Sequence, residues 1–580
     1  MTFSSKNMMK TMTPNLQNTD NRHASQPQVR LKWWQVAQLE KQGCSADSWD
    51  SVTVSPLLDL RNIRNVHFGD NVSVGSGVVI RNVPGGIRNC FIGDNAIIEN
   101  VARIEFEPEA ACGVGISICA LDETGSRPVR AYPGLSAQVA TLMAREPKWL
   151  EHNLLPGFQD FLDSKSVPAG IGERAVVRDC GRILNVSIGP EVTIEGARSL
   201  MNGAVINNAA PGKCFAYVGS GVDADNFIIE DGKVSSGCII RNCYIGQGAE
   251  LEKGFTAHDS LFFANCSFEN GEACAVLAGP YTVSMHKGTL LIGCQTAFMN
   301  AGSSTNQSNH MYKLGPVHWG VLERGVKTSS GAYIMFGAKI GAFTMIMGAH
   351  KTHPDSSSFP FSYLFGDERG ATVVVPGAML RSCGLMRDEK KWPTRDRRMR
   401  RRLPLHDRIS FNVLNPFTVD SMLKAIDTIT ELLAHPADDD LFVRHKGMKF
   451  TRAALERAKT LYTAAIFKYL SLVLPDSIIP DSDGAEAGTW VDVGGQIMPR
   501  ATLDLALASE SIDDAERIFT EAYEQYGEEE IRWIGRRFGE WWRTHQNRIH
   551  MGAEQFDAMV EDDRDEYLDN LAKETRMLSL

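Results

Sequence analysis

IMFGAKIGAFTMIMGAHKTHPDSSSFPFSYLFG, residues 334–366, carries three six-residue repeats straight into a loop that bears histidine. Ile334, Ile340 and Ile346 fall six apart, and the residues four after the first two, Ala338 and Thr344, are small. That period is neither the 3.6 of a helix nor the 2 of a strand. The same phase recurs upstream at Phe68, Val74 and Ile80, at Ile92, Ile98 and Ile104, at Ile188, Ile194 and Leu200, and at Ile245 and Leu251. A period this short, held across hundreds of residues, specifies a solenoid of triangular coils: each flat face is a short strand with an aliphatic side chain turned inward, and a small residue makes the corner.

A longer repeat overlies the hexads: Asn65-Val-His-Phe-Gly, Asn89-Cys-Phe-Ile-Gly, Asn185-Val-Ser-Ile-Gly, Asn242-Cys-Tyr-Ile-Gly and the degenerate Asn265-Cys-Ser-Phe-Glu. Asparagine tolerates left-handed backbone, so these positions are expected at stacked corners. On these repeats residues 55–380 resemble the hexapeptide-repeat superfamily, whose members form left-handed parallel β-helices and are mostly acyltransferases. The fold expected is therefore mainly β, a left-handed parallel β-helix with a helical insertion and a C-terminal α-helical domain. A fold of this kind does not by itself fix function.

The chain has 580 residues, a formal net charge of −10 and 43% hydrophobic content, which suits a soluble protein of two or three units and does not suggest nucleic acid as a partner. Residues 1–30 are polar and lack the apolar run of a signal or anchor, so a disordered tail, no membrane association and a cytoplasmic location are expected. All 12 cysteines fall between Cys44 and Cys383 with no CxxC pair, and Cys90, Cys243 and Cys266 sit at corner positions, where a small buried thiol packs well. Structural zinc held by cysteine is not expected.

The pattern divides the chain further. Residues 31–54, beginning LKWWQVAQLEKQG, read as a helical cap on the first coil, and 31–70 resembles the start of an uncharacterised bacterial β-helix family with a domain of unknown function. Residues 55–106 are the first part of the β-helix. From 107 to 170 the hexad fails, and SAQVATLMAREPKWLEHNLLPGFQDFLDSK reads as a helical insertion with Ser136 as N-cap. Arg127 and Arg130 precede it, in a loop read chiefly as solvated and alternatively as an anion grip. The β-helix resumes over 171–387, and 388–580 is a helical domain with helices at 419–434, 451–473, 502–525 and 529–545, in which Trp533, Trp541 and Trp542 read as core or interface. Between the two lies the densest charge run, Arg395-Asp-Arg-Arg-Met-Arg-Arg-Arg402, read as solvated or internally paired before phosphate-binding.

Six histidines, His258, His286, His310, His318, His350 and His353, fall in the later coils. Imidazole takes a proton from a hydroxyl near neutral pH, as acyl transfer from a thioester to an alcohol requires. His350 occupies the small-residue position of the last hexad, so an opening of the coil is expected there. Gly348, Ala349, His350, Ser358, Phe359, Pro360, Phe361, Leu364, Phe365 and Gly366 resemble the loop of the xenobiotic and streptogramin acetyltransferases. That resemblance implies that His350 is the general base, although Ala349 and Lys351 stand where that branch has asparagine and arginine, and His353-Pro354 is inserted.

The chemistry adds further candidates. Backbone N–H groups at Gly337, Gly341 and Gly348 are placed to hold an oxyanion, and Lys339 and Lys351 to meet the phosphates of acetyl-coenzyme A, the expected acyl donor. Asn306, Asn309, His310, His318 and His353 are candidates for binding a small, sugar-like acceptor through its hydroxyls. The resemblance implies a homo-oligomer, typically a trimer. Two other readings stand beside this one: a metal site of the γ-carbonic anhydrase type built from three imidazoles, disfavoured by the irregular histidine spacing, and a non-catalytic scaffold or sugar-nucleotide-binding protein.

Overall fold

The structure, a computed structural model, describes residues 28–150, 155–308, 319–434, 441–474, 485–539 and 551–561. Its body is a parallel β-solenoid in which each strand pairs with the one a coil later. Ile80 lies opposite Ile98, eighteen residues on, and Ile98 lies opposite Val177. The column continues through Ile194, Val218, Val234, Leu251 and Phe268, every one without solvent exposure. One aliphatic side chain per face per coil thus builds a continuous interior. Beyond Phe268 the same column passes through Ser284, and the neighbouring one through Gln307, so the interior turns partly polar where the hexad lapses.

The corners behave as the sequence predicts. Asn65, Asn89, Asn185, Asn242 and Asn265 have φ of 53°, 50°, 55°, 51° and 61°. Their amides stack into ladders: Asn65 donates to Asn82 at 3.0 Å, Asn82 to Asn100 at 2.9 Å and Asn100 to Asp179 at 2.8 Å. The corner asparagine accepts the strained φ at little cost, and its side chain bonds its counterpart in the next coil. Cys90, Cys243 and Cys266 are buried beside them.

A helix, Trp33–Lys41, precedes the first coil. The insertion leaves the solenoid after Ile97–Glu105 and returns at Gly170, while the strand Val176–Ile188 pairs directly with Ile97–Glu105 across the gap. The coil therefore closes as if the insertion were absent. The insertion is not helical throughout: it opens with an antiparallel hairpin, Ser117–Cys119 with Pro128–Arg130, before the helices Ala137–Arg145 and Leu155–Ser164. Ser136 caps the first helix by accepting from the Val139 N–H.

The C-terminal region also departs from an all-helical reading. Its helices Pro416–Ala434, Arg452–Val473, Arg500–Leu507 and Ile512–Glu524 are joined by two hairpins, Phe442–His445 with Met448–Thr451, and Trp490–Val493 with Gln496–Pro499. Their four-residue strands are too short to register against helical periodicity. The first hairpin extends the solenoid: Thr372–Val375 runs antiparallel on Tyr363–Gly366 and parallel to Met448–Thr451, closing the last coil. The second turns at Gly494 and Gly495, both with positive φ, and seats against the insertion helix. Trp533 is buried against Trp490, a core role; Trp541 and Trp542 lie outside the described residues, as does most of the expected tail.

A second apolar core lies outside the solenoid. The insertion supplies Val139, Ala140 and Met143, the outer faces of successive coils supply Ile228, Tyr244, Leu261 and Leu277, and the C-terminal region supplies Met498, Ile512 and Phe519. Coil residues that should face water are thus covered, and three distant segments meet. No helix among the described residues is long and apolar enough to cross a membrane.

Candidate functional site

His350 is not at an opening. Its strand pairs with the preceding coil so that His350 lies opposite Ile334, sixteen residues back. Three unbroken hexads give a step of eighteen, as from Ile80 to Ile98; this coil is two residues short, as is the one from Val218 to Val234, and the residue moves from the small corner position into the inward column below Gln307 and Ile334. It is 1% exposed; its Nδ1 is 2.9 Å from the Thr372 hydroxyl on the closing strand, and its Nε2 has no hydrogen-bond partner. Burial pushes the imidazole down to about 4, against a weak opposing backbone hydrogen bond at Met347. The expectation of an opened coil here is corrected by this geometry.

The other sequence candidates do not gather around it. Asn306 begins the strand Asn306–Ser308, two coils back on the same face as Ala349–His350. Lys339 is exposed on another face, opposite Val321. Gly348, Lys351 and His353 are exposed, and the Nδ1 of His353 bonds the Phe336 carbonyl. Asn309, His310 and His318 lie outside the described residues. Among the described residues no group of three histidine, cysteine, aspartate or glutamate side chains is placed to hold a metal ion.

The arginine-rich segments have internal work. Arg127 donates to the carbonyls of Ala144 and Arg145, capping the insertion helix. Arg397 pairs with Glu250 at 2.7 Å, and Arg398 is buried against Asp396 at 2.8 Å. Asp407, just beyond the run, accepts the Ala137 N–H at 2.7 Å with one oxygen and the Ala264 N–H at 2.8 Å with the other. The segment pins the insertion helix to a coil corner.

Polar chemistry instead concentrates where insertion, coil and second hairpin meet. A cavity of about 140 Å³ is lined by Gln295, Thr296, Glu323 and Arg324 from two successive coils, by Arg145 from the insertion helix and by Asp492 from the hairpin. A second cavity of the same volume shares Arg145, Val491 and Asp492 and adds the apolar Leu142, Leu503 and Leu507. Five buried polar atoms here lack a hydrogen-bond partner: Gln295 Oε1, Thr296 Oγ1, Arg324 Nε and Nη1, and Asp492 Oδ2. Buried polar groups are almost always satisfied, so such a concentration in one cavity is unusual.

The sequence dictates this placement. Gln295 and Thr296 belong to the strand Cys294–Thr296, which pairs with Gly320–Leu322, and Glu323 and Arg324 turn the corner just after it. Arg324 is a fully buried cation: one Nη donates to the Ser410 carbonyl, Phe298 lies under the guanidinium at 4.9 Å, and Nε is 3.6 Å from Asp492 Oδ2, too far for a hydrogen bond. Asp492 is fixed by the Gly495 N–H at 2.9 Å, inside the hairpin turn. Arg145 is exposed at the mouth, sharing the Trp319 ring with Arg127 at 5.6 and 5.1 Å.

Two carboxyls of the cavity are tuned. Burial pushes Glu323 up to about 8; Asp492 and Asp355 add to the rise, while the Ala342 N–H, 3.0 Å from Oε2, and Arg145 oppose it. Burial raises Asp492 too, and Arg324 counters that. At pH 7 Glu323 is therefore mostly protonated, beside Asp492, whose Oδ2 lies 3.6 Å from the Arg324 guanidinium. Sequence reading passed over this cluster because its members come from residues 145, 295–324 and 492, and no local motif joins them.

Compared with known proteins, residues 69–433, well over half of the chain, match a family model described as a domain of unknown function (DUF4954). No curated protein matches the chain.

Proposed function

The chain belongs to the DUF4954 family, and we propose that it binds a small polar metabolite in the cavity between coil, insertion and second hairpin and exchanges protons with it. The observation that carries this reading is the convergence on one cavity of five buried polar atoms that make no hydrogen bond. Leaving a buried donor or acceptor unmet costs about 1–3 kcal/mol each, a cost a ligand's complementary groups remove. Glu323, pushed up to about 8 by burial, is a group able to exchange a proton near neutral pH, and Asp492, also raised by burial, lies beside it. Val321→Trp, filling the cavity from a half-buried wall residue, tests the site. Across a metabolite panel, compounds that raise the thermal midpoint of the unsubstituted protein should leave that of the variant unmoved; equal shifts in both proteins would end this reading.

The acyl-transfer reading, with acetyl-coenzyme A as donor, His350 as base, a sugar-like acceptor and a homo-oligomeric assembly, rests on the repeat and the loop resemblance. The buried, neutral imidazole of His350 offers an acceptor hydroxyl no contact, so the cavity is the better-supported site. Thiol release from acetyl-coenzyme A that disappears in His350→Ala would reverse that order.

A further inference from the structure

We infer that the cavity is built for a small carboxylate that also carries hydroxyl or ammonium hydrogens, a hydroxy acid, sugar acid or amino acid of roughly six to ten heavy atoms. This deepens the proposed metabolite site and rests on it.

The size follows from volume. A cavity of about 150 Å³ accommodates a six-membered carbon ring, and this one measures about 140 Å³ before its neighbour, which shares Arg145, Val491 and Asp492, is added. The charge follows from the lining. Arg324 faces Asp492, Arg500 and Glu146 of the neighbouring cavity offset one another, and Glu323 is mostly protonated at pH 7, so the guanidinium of Arg145 is the positive charge left over. A single anionic group restores neutrality, and a carboxylate matches the planar fork of a guanidinium. The hydrogen-bond complement follows from the unpartnered atoms. Arg324 Nε and Nη1 lack hydrogen-bond acceptors, whereas Gln295 Oε1 and Asp492 Oδ2 lack donors, Nε and Oδ2 meeting only as an ion pair at 3.6 Å. A simple carboxylate answers only the first pair, and a neutral polyol leaves the charge unmet. A molecule with both satisfies the whole set.

Glu323 gives the site a pH signature. Facing it are the Ala342 N–H, Arg145, Asp492 and Asp355. Losing its proton above about pH 8 adds a negative charge beside the bound anion, so binding weakens as pH rises through that range.

Equilibrium dialysis of the full chain against D-glycerate, D-erythronate, L-serine, acetate, erythritol and inorganic phosphate tests the class. Expected is retention of at least one of the first three in preference to acetate, erythritol and phosphate. Arg145→Gln, at the exposed mouth, should weaken it about tenfold or more, the worth of one charge-assisted hydrogen bond. Glu323→Gln, isosteric and permanently neutral, should keep binding and lose its fall between pH 7 and 9. Erythritol or phosphate retained as well as erythronate, retention indifferent to Arg145→Gln, or retention of none of the six overturns the class. The cavity itself is judged apart, by the thermal-shift comparison with Val321→Trp, so the two failures are distinguishable. Arg324→Gln is a harsher variant because it strands buried Asp492; a folded Arg145→Gln protein keeps the test decisive without it.

Discussion

At His350 the protein holds an imidazole in its neutral form by closing a strand over it. The consequence is a pH dependence with a definite sign. Above about pH 6.5 neither folded nor unfolded chain protonates this group, and it costs nothing. As pH falls, the unfolded chain takes a proton that the folded one refuses until about pH 4. Stability is therefore lost across that window, by roughly 3 kcal/mol at its lower end. In His350→Leu the drop in thermal midpoint between pH 7 and 5 should shrink, while stability at pH 7 changes by less than about 1.5 kcal/mol, because Thr372 keeps Thr352 as a partner at 3.3 Å. An unchanged acid slope would show that the imidazole is not sealed. The corner asparagines were readable residue by residue because αL backbone selects them directly. His350 was misplaced because a two-residue shortening of the coil leaves no mark on a hexad count.

At the scale of the element, the second hairpin forms one wall of the cavity. A methyl group at Gly494 would come within 2.5 Å of the Ala137 carbonyl oxygen, and its φ of 58° disfavours alanine besides. Gly494→Ala should cost about 1–2 kcal/mol in backbone strain alone and push the hairpin off the insertion helix. Amide exchange across 490–499 should quicken while that of the coils stays as it was; exchange slowed or unchanged there would place the hairpin elsewhere. Strands this short carry no periodic signal, which is why the C-terminal region reads from sequence as helix alone. The repeat, by contrast, is legible as far as Leu251 and again from Ile334 to Ile346, and it lapses between them because Ser284 and Gln307 take inward positions that aliphatic side chains hold elsewhere.

For the whole molecule, solenoid, insertion and C-terminal region are joined by a small number of buried polar pins. Asp407→Ala would strand two buried N–H groups, those of Ala137 and Ala264, at about 2–6 kcal/mol together. Limited proteolysis should then cut near residues 395–411 before the coils, and ligand binding should fall with it; a variant as resistant as the parent would remove Asp407 from this role. Internal pairing of the arginine run is readable from sequence, but the partners of Arg397 are not, because Glu250 and Asn265 lie more than a hundred residues away.

The three segments lining the cavity also set an order of assembly. Each coil leans only on its neighbour, so the solenoid can take shape progressively as the chain is synthesised, from the amino end onward. Arg324 is then in place before Asp492, its counter-charge, has been made. Until residues 490–499 emerge and fold back, the nascent protein carries an unpaired cation in an open trough, and a chain stopped short of that hairpin would own the scaffold without the site.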